Sequence, residues 1–268
     1  MPQPQAAEQR LLGPIALHGG GEFLPGDERF LDALLEAAAA AAVRRAAVGV
    51  INGEPAGAPA TTAEPLRVAI LPTAASRGSP DQTAAFAIEA IGKRGVATGR
   101  LLRSAVARVV DITSAEDDAT VDFLASADLI YLPGGDPDLI PRLLGTTPAG
   151  WALSAAHHDG ALIAGASAGA MGLAEWSWTP EGGILGLDYV HGLAVVPHYD
   201  DIRRLAWQRS LGDVAPNGIG YLGLDERTGV ISNGVAWQVA GEGAAYWFGA
   251  GALAPIVARH GEHIDFSA

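Results

Sequence analysis

The sequence predicts an α/β protein built on a mostly parallel, doubly wound sheet, and three observations lead there. Apolar runs rich in Val, Ile and Leu alternate with longer amphipathic stretches, which is the pattern of β-α-β units. Three of these runs end in Gly-rich turns, at Gly19-Gly20-Gly21, Gly134-Gly135 and Gly165-Ala166-Ser167-Ala168-Gly169. No Pro/Ser-rich linker separates the 268 residues into two complete alternating patterns, so one domain over 1–268 is expected.

Pro14-Ile15-Ala16-Leu17-His18 reads as the first strand, behind a flexible N-terminus over residues 1–12. A helix starts near Asp27, carries Phe30, Leu31, Leu34 and Leu35, and runs into an alanine tract through Ala42. Residues 52–65 are rich in Gly, Pro, Ala and Thr and read as a surface insertion with no chemistry in it. Arg67 to Pro72 restarts the sheet, and a helix covers about Pro80 to Lys93. Ala107 to Ile112 reads as a third strand, with Ser114 as N-cap of a helix through Ala125. Asp128 to Pro133 is the fourth strand, followed by helices over about Pro137 to Leu144 and Thr147 to His158. Ala161 to Ala164 leads into the turn at Ser167, and Ala168 to Ala174 is helix-prone. Trp176 to Thr179 reads as a strand, Arg203 to Leu211 as a helix, and Gly218 to Ile256 as short antiparallel strands.

Composition narrows the function. Apolar residues make up 49% of the chain, enough for a large core, yet no apolar stretch approaches the roughly 20 residues of a membrane span. Met1-Pro2-Gln3-Pro4-Gln5 is polar and unlike a signal segment, so a cytoplasmic location is expected. A net charge of -13 argues against nucleic acid, because phosphate binding needs a basic face. The absence of cysteine removes thiolate nucleophiles and thiolate metal sites. Lys93 is the only lysine and has no phosphate loop around it. His157-His158-Asp159 is too tight for three ligands to meet one ion. Neither metal nor cofactor is expected. A small peptide or amide is the expected partner, and pairing of the Gly-rich C-terminal strands between subunits would make a homodimer.

Gly165-Ala166-Ser167-Ala168-Gly169 lies between an apolar strand and a helix, which is the setting of a nucleophile elbow. A sharp strand-to-helix turn admits only small residues two positions either side of its centre, and it points the central side chain outward. The helix start behind it lends partial positive charge to an oxyanion. A serine hydroxyl needs a base, and a base needs an orienting group. His198 follows the apolar run Val195-Val196 and so also lies at a strand's carboxyl end. Glu175, Glu181 and Asp188 lie between Ser167 and His198, and spacing alone selects none of them. In an open parallel sheet ligands bind at the carboxyl ends of strands, so Gly20, Gly21 and the Gly134-Gly135 turn are expected to line one crevice with Ser167. Arg203 and Arg204 follow His198 at a distance suited to a carboxylate fork, or else face solvent from a helix.

Taken in order, the Gly-Gly-Gly-Glu turn, Leu132-Pro133-Gly134-Gly135-Asp136, Gly165-Ala166-Ser167-Ala168-Gly169-Ala170 and Pro197-His198-Tyr199 resemble the serine peptidases that include dipeptidase E (aspartyl dipeptidase) and cyanophycinase. The resemblance runs from about residue 13 to 250. It implies a class I glutamine amidotransferase-like, flavodoxin-like three-layer sandwich with Ser in place of the amidotransferase Cys. It further implies Ser167 as nucleophile, His198 as general base, and the N–H groups of Gly135 and Ala168 as the oxyanion hole. The third member would be an acid after the elbow helix, Glu181 first and Glu175 second. Asp136 stands where relatives often carry Asn and would face the polar end of the substrate. The segment from Ser167 to His198 is shorter than in those relatives, and Val196-Pro197-His198 replaces the Asp-Gln-His of cyanophycinases.

The implied activity is cleavage of an amide bond next to an acidic, aspartyl-like residue of a small peptide, through an acyl-enzyme. Two alternatives remain open at this point. His18-Gly19-Gly20-Gly21 resembles the oxyanion motif of α/β-hydrolase esterases, although it follows the first strand rather than the third. A non-catalytic or ligand-sensing protein of the same fold would arise if the acid had been lost.

Overall fold

The computed structural model describes residues 12–51, 64–200, 203–204, 206–207, 211, 216–232 and 236–266. The expected N-terminal segment and the 52–65 insertion therefore lie outside the described residues, apart from Leu12, Glu64 and Pro65, as does much of the expected helix over 203–211.

Four short runs, β1 (Ile15–His18), β2 (Leu66–Ile70), β4 (Leu129–Leu132) and β5 (Leu162–Ala166), pair in parallel through the centre of an eight-stranded sheet. They are buried almost throughout, which is why they read as unbroken apolar runs rather than alternating ones. Alternate residues of each strand still face opposite cores. Ala16, Val68, Ile70, Tyr131 and Ala164 pack against Phe30 and Leu34 of α1 (Glu28–Ile51) and Ile91 of α2 (Pro80–Ala97). Leu17, Ala69, Ile130, Leu132 and Ile163 face the other core. There they meet α4 (Asp118–Ser126), α5 (Leu139–Leu144), α6 (Pro148–His158) and a second sheet. Each fully buried Leu or Ile contributes about 1.5–3 kcal/mol by leaving water.

The expected third strand is corrected. Residues 107–111 are irregular, and β3 is Leu102–Val106, an edge strand pairing with β2. The reason is local. The Asp111 side chain accepts the Ser114 N–H at 2.7 Å and the Ser114 hydroxyl accepts the Asp111 N–H at 3.0 Å, a capping box that starts α3 (Ile112–Ala115) where a strand was expected. Ser114 is thus the third helical residue, and Asp117 caps α4. Further along, Thr147 caps α6 with Pro148 at its first position.

After the short helix α7 (Ala168–Leu173) come β6 (Ala174–Ser177), β7 (Ile184–Leu185), β8 (Val190–Val196) and β9 (Gly220–Leu224). The chain then crosses to the first sheet as β10 (Thr228–Ser232) and β11 (Trp237–Gly241). It returns as β12 (Ala244–Phe248) and β13 (Ile256–Arg259), and β14 (His263–Ile264) closes the first sheet. The second sheet has the order β13-β12-β9-β8-β6-β7. Registers decide what meets. Leu17 and Leu132 both sit opposite Gly165, so the turns after β1, β4 and β5 leave the sheet side by side. Val196 sits opposite Gly223, so the turns after β8 and β9 also emerge together.

Candidate active site

Ser167 has φ 48° and ψ -114°, a strained conformation for a residue with a side chain. It is held there from both sides: its N–H donates to the His18 carbonyl at 2.9 Å, and its carbonyl accepts the Met171 N–H at 3.0 Å. The two flanking glycines have separate reasons. A Cβ on Gly165 would run into the backbone of Gly169, and a Cβ on Gly169 would run into the Leu132 carbonyl. The tight packing of β5, α7 and β4 therefore requires both.

His198 follows β8 with φ 52°, its N–H donating to the Gly19 carbonyl at 2.7 Å. Its Nε2 lies 3.0 Å from Ser167 Oγ and its Nδ1 lies 2.8 Å from Glu226 Oε1. A carboxylate only accepts, so Nδ1 carries the proton and the Nε2 lone pair faces the serine hydroxyl. Glu226 stands in the Asp225-Glu226-Arg227 turn between β9 and β10, and its Oε1 also accepts from Arg203 Nη1 at 2.8 Å. The hydrogen bond from His198 first, and that from Arg203 second, hold the Glu226 carboxyl below the usual carboxylate range.

Glu226 thus occupies the place expected for Glu181 or Glu175. Glu175 lies on β6, past the end of the elbow helix, where its carboxylate accepts the Gly192 N–H at 2.7 Å and sits 3.0 Å from His191 Nδ1. Glu181 is exposed in the turn after β6 and adds its charge to the surroundings of Arg77. Neither is brought to the His198 ring. Glu226 lies 28 residues beyond His198, outside the window between Ser167 and His198. One signal was present: Glu226 follows the short apolar strand ending at Leu224, as His198 follows Val196.

The Gly-rich turns do converge, with roles that differ from those expected. Gly20 (φ 95°) and Gly21 (φ 67°) support the histidine and the acid: a Cβ on Gly20 would stand 2.6 Å from His198 Nε2, and one on Gly21 3.1 Å from Glu226 Cβ. A Cβ on Gly134 would stand 3.3 Å from Ser167 Cβ. Gly135 has φ 149°, the Ala74 carbonyl leaves no room for a side chain on it, and the next N–H, of Asp136, donates to that carbonyl at 2.7 Å. The N–H groups of Gly135 and of Ala168, the first residue of α7, donate to no other described residue. Asp136 is half-buried and 3.7 Å from Arg77, whose guanidinium is held by Asp138 through two 2.8 Å bonds. Arg203 serves Glu226 and also reaches Asp200 at 3.6 Å, rather than presenting a free fork.

Two other features lie apart from Ser167. A cavity of about 400 Å³ lined by Leu12, Trp151, His157 and Tyr189 opens at the amino end of β1. Glu175, Asp188 and His191 form a group with potential ligand atoms within 4.8 Å of one another on the β6–β8 side. No described helix is long and apolar enough to cross a membrane.

A serine in a strained strand-to-helix turn, a histidine at its hydroxyl and a carboxylate behind the histidine, on a central parallel sheet, are the arrangement of a serine hydrolase. The chain belongs to peptidase family S51, whose model matches residues 59–234. Its fold is similar to that of a peptidase from an acI-B1 actinobacterium, at 24% identity over 96% of this chain and 98% of that one, with a TM-score of 0.72. It is also similar to a candidate peptidase E from Listeria monocytogenes EGD-e, at 15% identity over 85% and 98% of the two chains, with a TM-score of 0.52. No curated protein matches the chain. Family membership places it with the serine peptidases rather than with the α/β-hydrolase esterases.

Proposed function

We propose that the protein cleaves an amide bond next to an acidic, aspartyl-like residue of a small peptide, through an acyl-enzyme on Ser167. The observation that carries the reading is the unbroken run from Ser167 Oγ to His198 Nε2 at 3.0 Å and from His198 Nδ1 to Glu226 at 2.8 Å. His198 takes the hydroxyl proton as Oγ attacks the carbonyl carbon, and the Glu226 carboxylate stabilises the imidazolium that forms. The N–H groups of Gly135 and Ala168 receive the oxyanion. His198 then gives its proton to the leaving amine, and water repeats the sequence to release the acid. The acidic preference is supported by the resemblance to dipeptidase E and by the likeness to a structure described as a candidate peptidase E.

The test is covalent labelling by a fluorophosphonate read by mass spectrometry, alongside hydrolysis of an aspartyl dipeptide library. Labelling at Ser167 that disappears in Ser167→Ala and falls sharply in His198→Ala is the expected result. Labelling elsewhere, or aspartyl peptides cleaved no faster than neutral ones, would overturn the nucleophile or the preference respectively.

A further inference from the structure

β1 ends at His18 and α1 begins after Asp27, so residues 19–26 form one loop with these two side chains at its ends. Both side chains are buried, and His18 Nε2 stands 3.0 Å from Asp27 Oδ1. His18 Nδ1 accepts the Gly20 N–H at 3.3 Å, which leaves the ring proton on Nε2, facing the carboxylate. The other Asp27 oxygen accepts the Phe23 N–H at 2.8 Å, and the His18 ring lies 4.3 Å from that of Phe30.

The pair thus grips the loop at Gly20 and Phe23 as well as at both ends. Apolar residues of similar volume would serve the core as well or better, so stability alone does not account for a buried His–Asp pair. The opposite side of the same loop meets the site. The Gly19 carbonyl accepts the His198 N–H at 2.7 Å, the Gly20 carbonyl accepts the Arg227 N–H at 2.8 Å, and the Cβ positions of Gly20 and Gly21 border His198 and Glu226. The His18 carbonyl accepts the Ser167 N–H at 2.9 Å. One residue therefore holds the Ser167 turn through its backbone and the support of His198 through its ring.

We infer that His18 and Asp27 are positioning residues: their buried contact fixes the Gly19–Gly21 turn and with it the distance from His198 to Ser167. The inference rests on the reading of Ser167 as nucleophile and His198 as its base. Neither side chain reaches the surface, so neither touches a substrate, and both act through the loop. Asp27→Asn probes this with almost no change of shape. Whichever way the amide turns, its NH2 meets a donor, either the Nε2–H of His18 or the N–H of Phe23. Moving the ring proton to Nδ1 only sets it against the Gly20 N–H. The loop must shift, and His198 and Glu226, tied to each other through the β8–β9 pairing, move together away from Ser167.

The experiment measures the second-order rate of fluorophosphonate labelling at Ser167, well below the melting midpoint, in wild type, Asp27→Asn, His18→Gln and Asp128→Asn. The last variant weakens the pairs with Arg67 and Arg45 at the amino end of β4, so it costs stability away from Ser167. Asp27→Asn and His18→Gln should label roughly tenfold to a hundredfold more slowly than wild type, the cost of a misplacement of up to about 1 Å, and Asp128→Asn within about twofold. The low-field signal of the His198 Nδ1 proton, identified by its absence in Glu226→Gln, should persist in Asp27→Asn. A folded Asp27→Asn or His18→Gln protein that labels as fast as Asp128→Asn, or loss of that signal in Asp27→Asn, overturns the positioning role alone. Ring nitrogen shifts of wild-type His18 should place its proton on Nε2. A proton on Nδ1 would overturn the role with no variant needed, so misfolding of the variants would not shield the idea. Absence of labelling on wild type overturns the Ser167 reading and this inference with it.

Discussion

Replacing Gly20 with alanine puts a methyl group 2.6 Å from His198 Nε2 and 3.0 Å from Nδ1, with Cε1 nearer still. Ordinary contacts stand at 3.5–4.0 Å, so the ring must retreat by about 1 Å. The Ser167–His198 distance is 3.0 Å, and a retreat of that size takes it past hydrogen-bonding range. A misplacement of about 1 Å can cost on the order of 100-fold in rate. The strain of alanine at φ 95° adds a stability cost of about 1–3 kcal/mol. Gly21→Ala separates the two effects. It too forces a side chain onto positive φ, but its methyl meets Glu226 at 3.1 Å or more, which a small shift accommodates. The assay is the second-order rate of fluorophosphonate labelling at Ser167, with thermal unfolding as the control. Gly20→Ala should label about 100-fold more slowly than wild type, and Gly21→Ala within about tenfold, although both lose comparable stability. A folded Gly20→Ala protein that labels within threefold of wild type would refute the geometry on which the site is built.

Three further outcomes follow from the same contacts. Glu226→Gln should slow labelling by roughly tenfold to a hundredfold, because it removes a charged partner of the His198 ring, whereas Glu181→Gln should leave the rate within about twofold. The pH dependence of stability has a definite sign: Glu226 has a folded pKa below its unfolded value, so its contribution is present above the ordinary carboxylate pKa and disappears as pH falls through the lower folded value. Melting curves of wild type and Glu226→Gln should therefore differ most near neutral pH and converge in acid. A gap that widens on acidification would contradict the assignment. Gly169→Ala should destabilise by about 1–3 kcal/mol through overpacking against the Leu132 carbonyl, and denaturant titration should show an earlier midpoint with an unchanged slope.

Much of this arrangement was legible in the sequence, for reasons that also explain what was not. The strands β1, β2, β4 and β5 are covered on both faces, so their burial wrote itself into continuous apolar runs. Edge strand β3 is half exposed and carries Arg103 and Ser104, while the more apolar Ala107–Ile112 supplies buried Val109 to the core without being a strand. Hydrophobicity located the buried residues there and misassigned the backbone, because the Asp111–Ser114 cap outweighs a weak strand preference. Ser167 and His198 were legible because each follows a strand within a few residues. Glu226 was not, because its place depends on which strands of the second sheet lie side by side, and that register cannot be read from local pattern. Gly20 and Gly21 were recognised as part of the crevice but not as the surface on which the histidine and the acid rest. Their role depends on a contact between residues about 180 positions apart or more.

The position of Glu226 follows from where the chain changes sheets. β9 belongs to the second sheet and β10 to the first, so the turn Asp225-Glu226-Arg227 spans the seam between them. It is tied to the first sheet's opening turn, since Arg227 donates to the Gly20 carbonyl at 2.8 Å and Gly19 to the Thr228 carbonyl at 2.9 Å. The return crossing from β11 to β12 ties it again, through Gly243 N–H to Thr228 Oγ1 at 2.7 Å and Ala244 N–H to Asp225 Oδ2 at 2.9 Å. On the other side Tyr199, next to His198, donates to the Leu224 carbonyl at 2.9 Å and lays its ring where a Gly223 side chain would be. His198 and Glu226 are therefore fixed to each other through the β8–β9 pairing, and both are fixed to Ser167 through the turn at Gly19–Gly21. A change at the seam that loosens this lacing should separate His198 and Glu226 together from Ser167, leaving the 2.8 Å pair intact while the 3.0 Å contact opens.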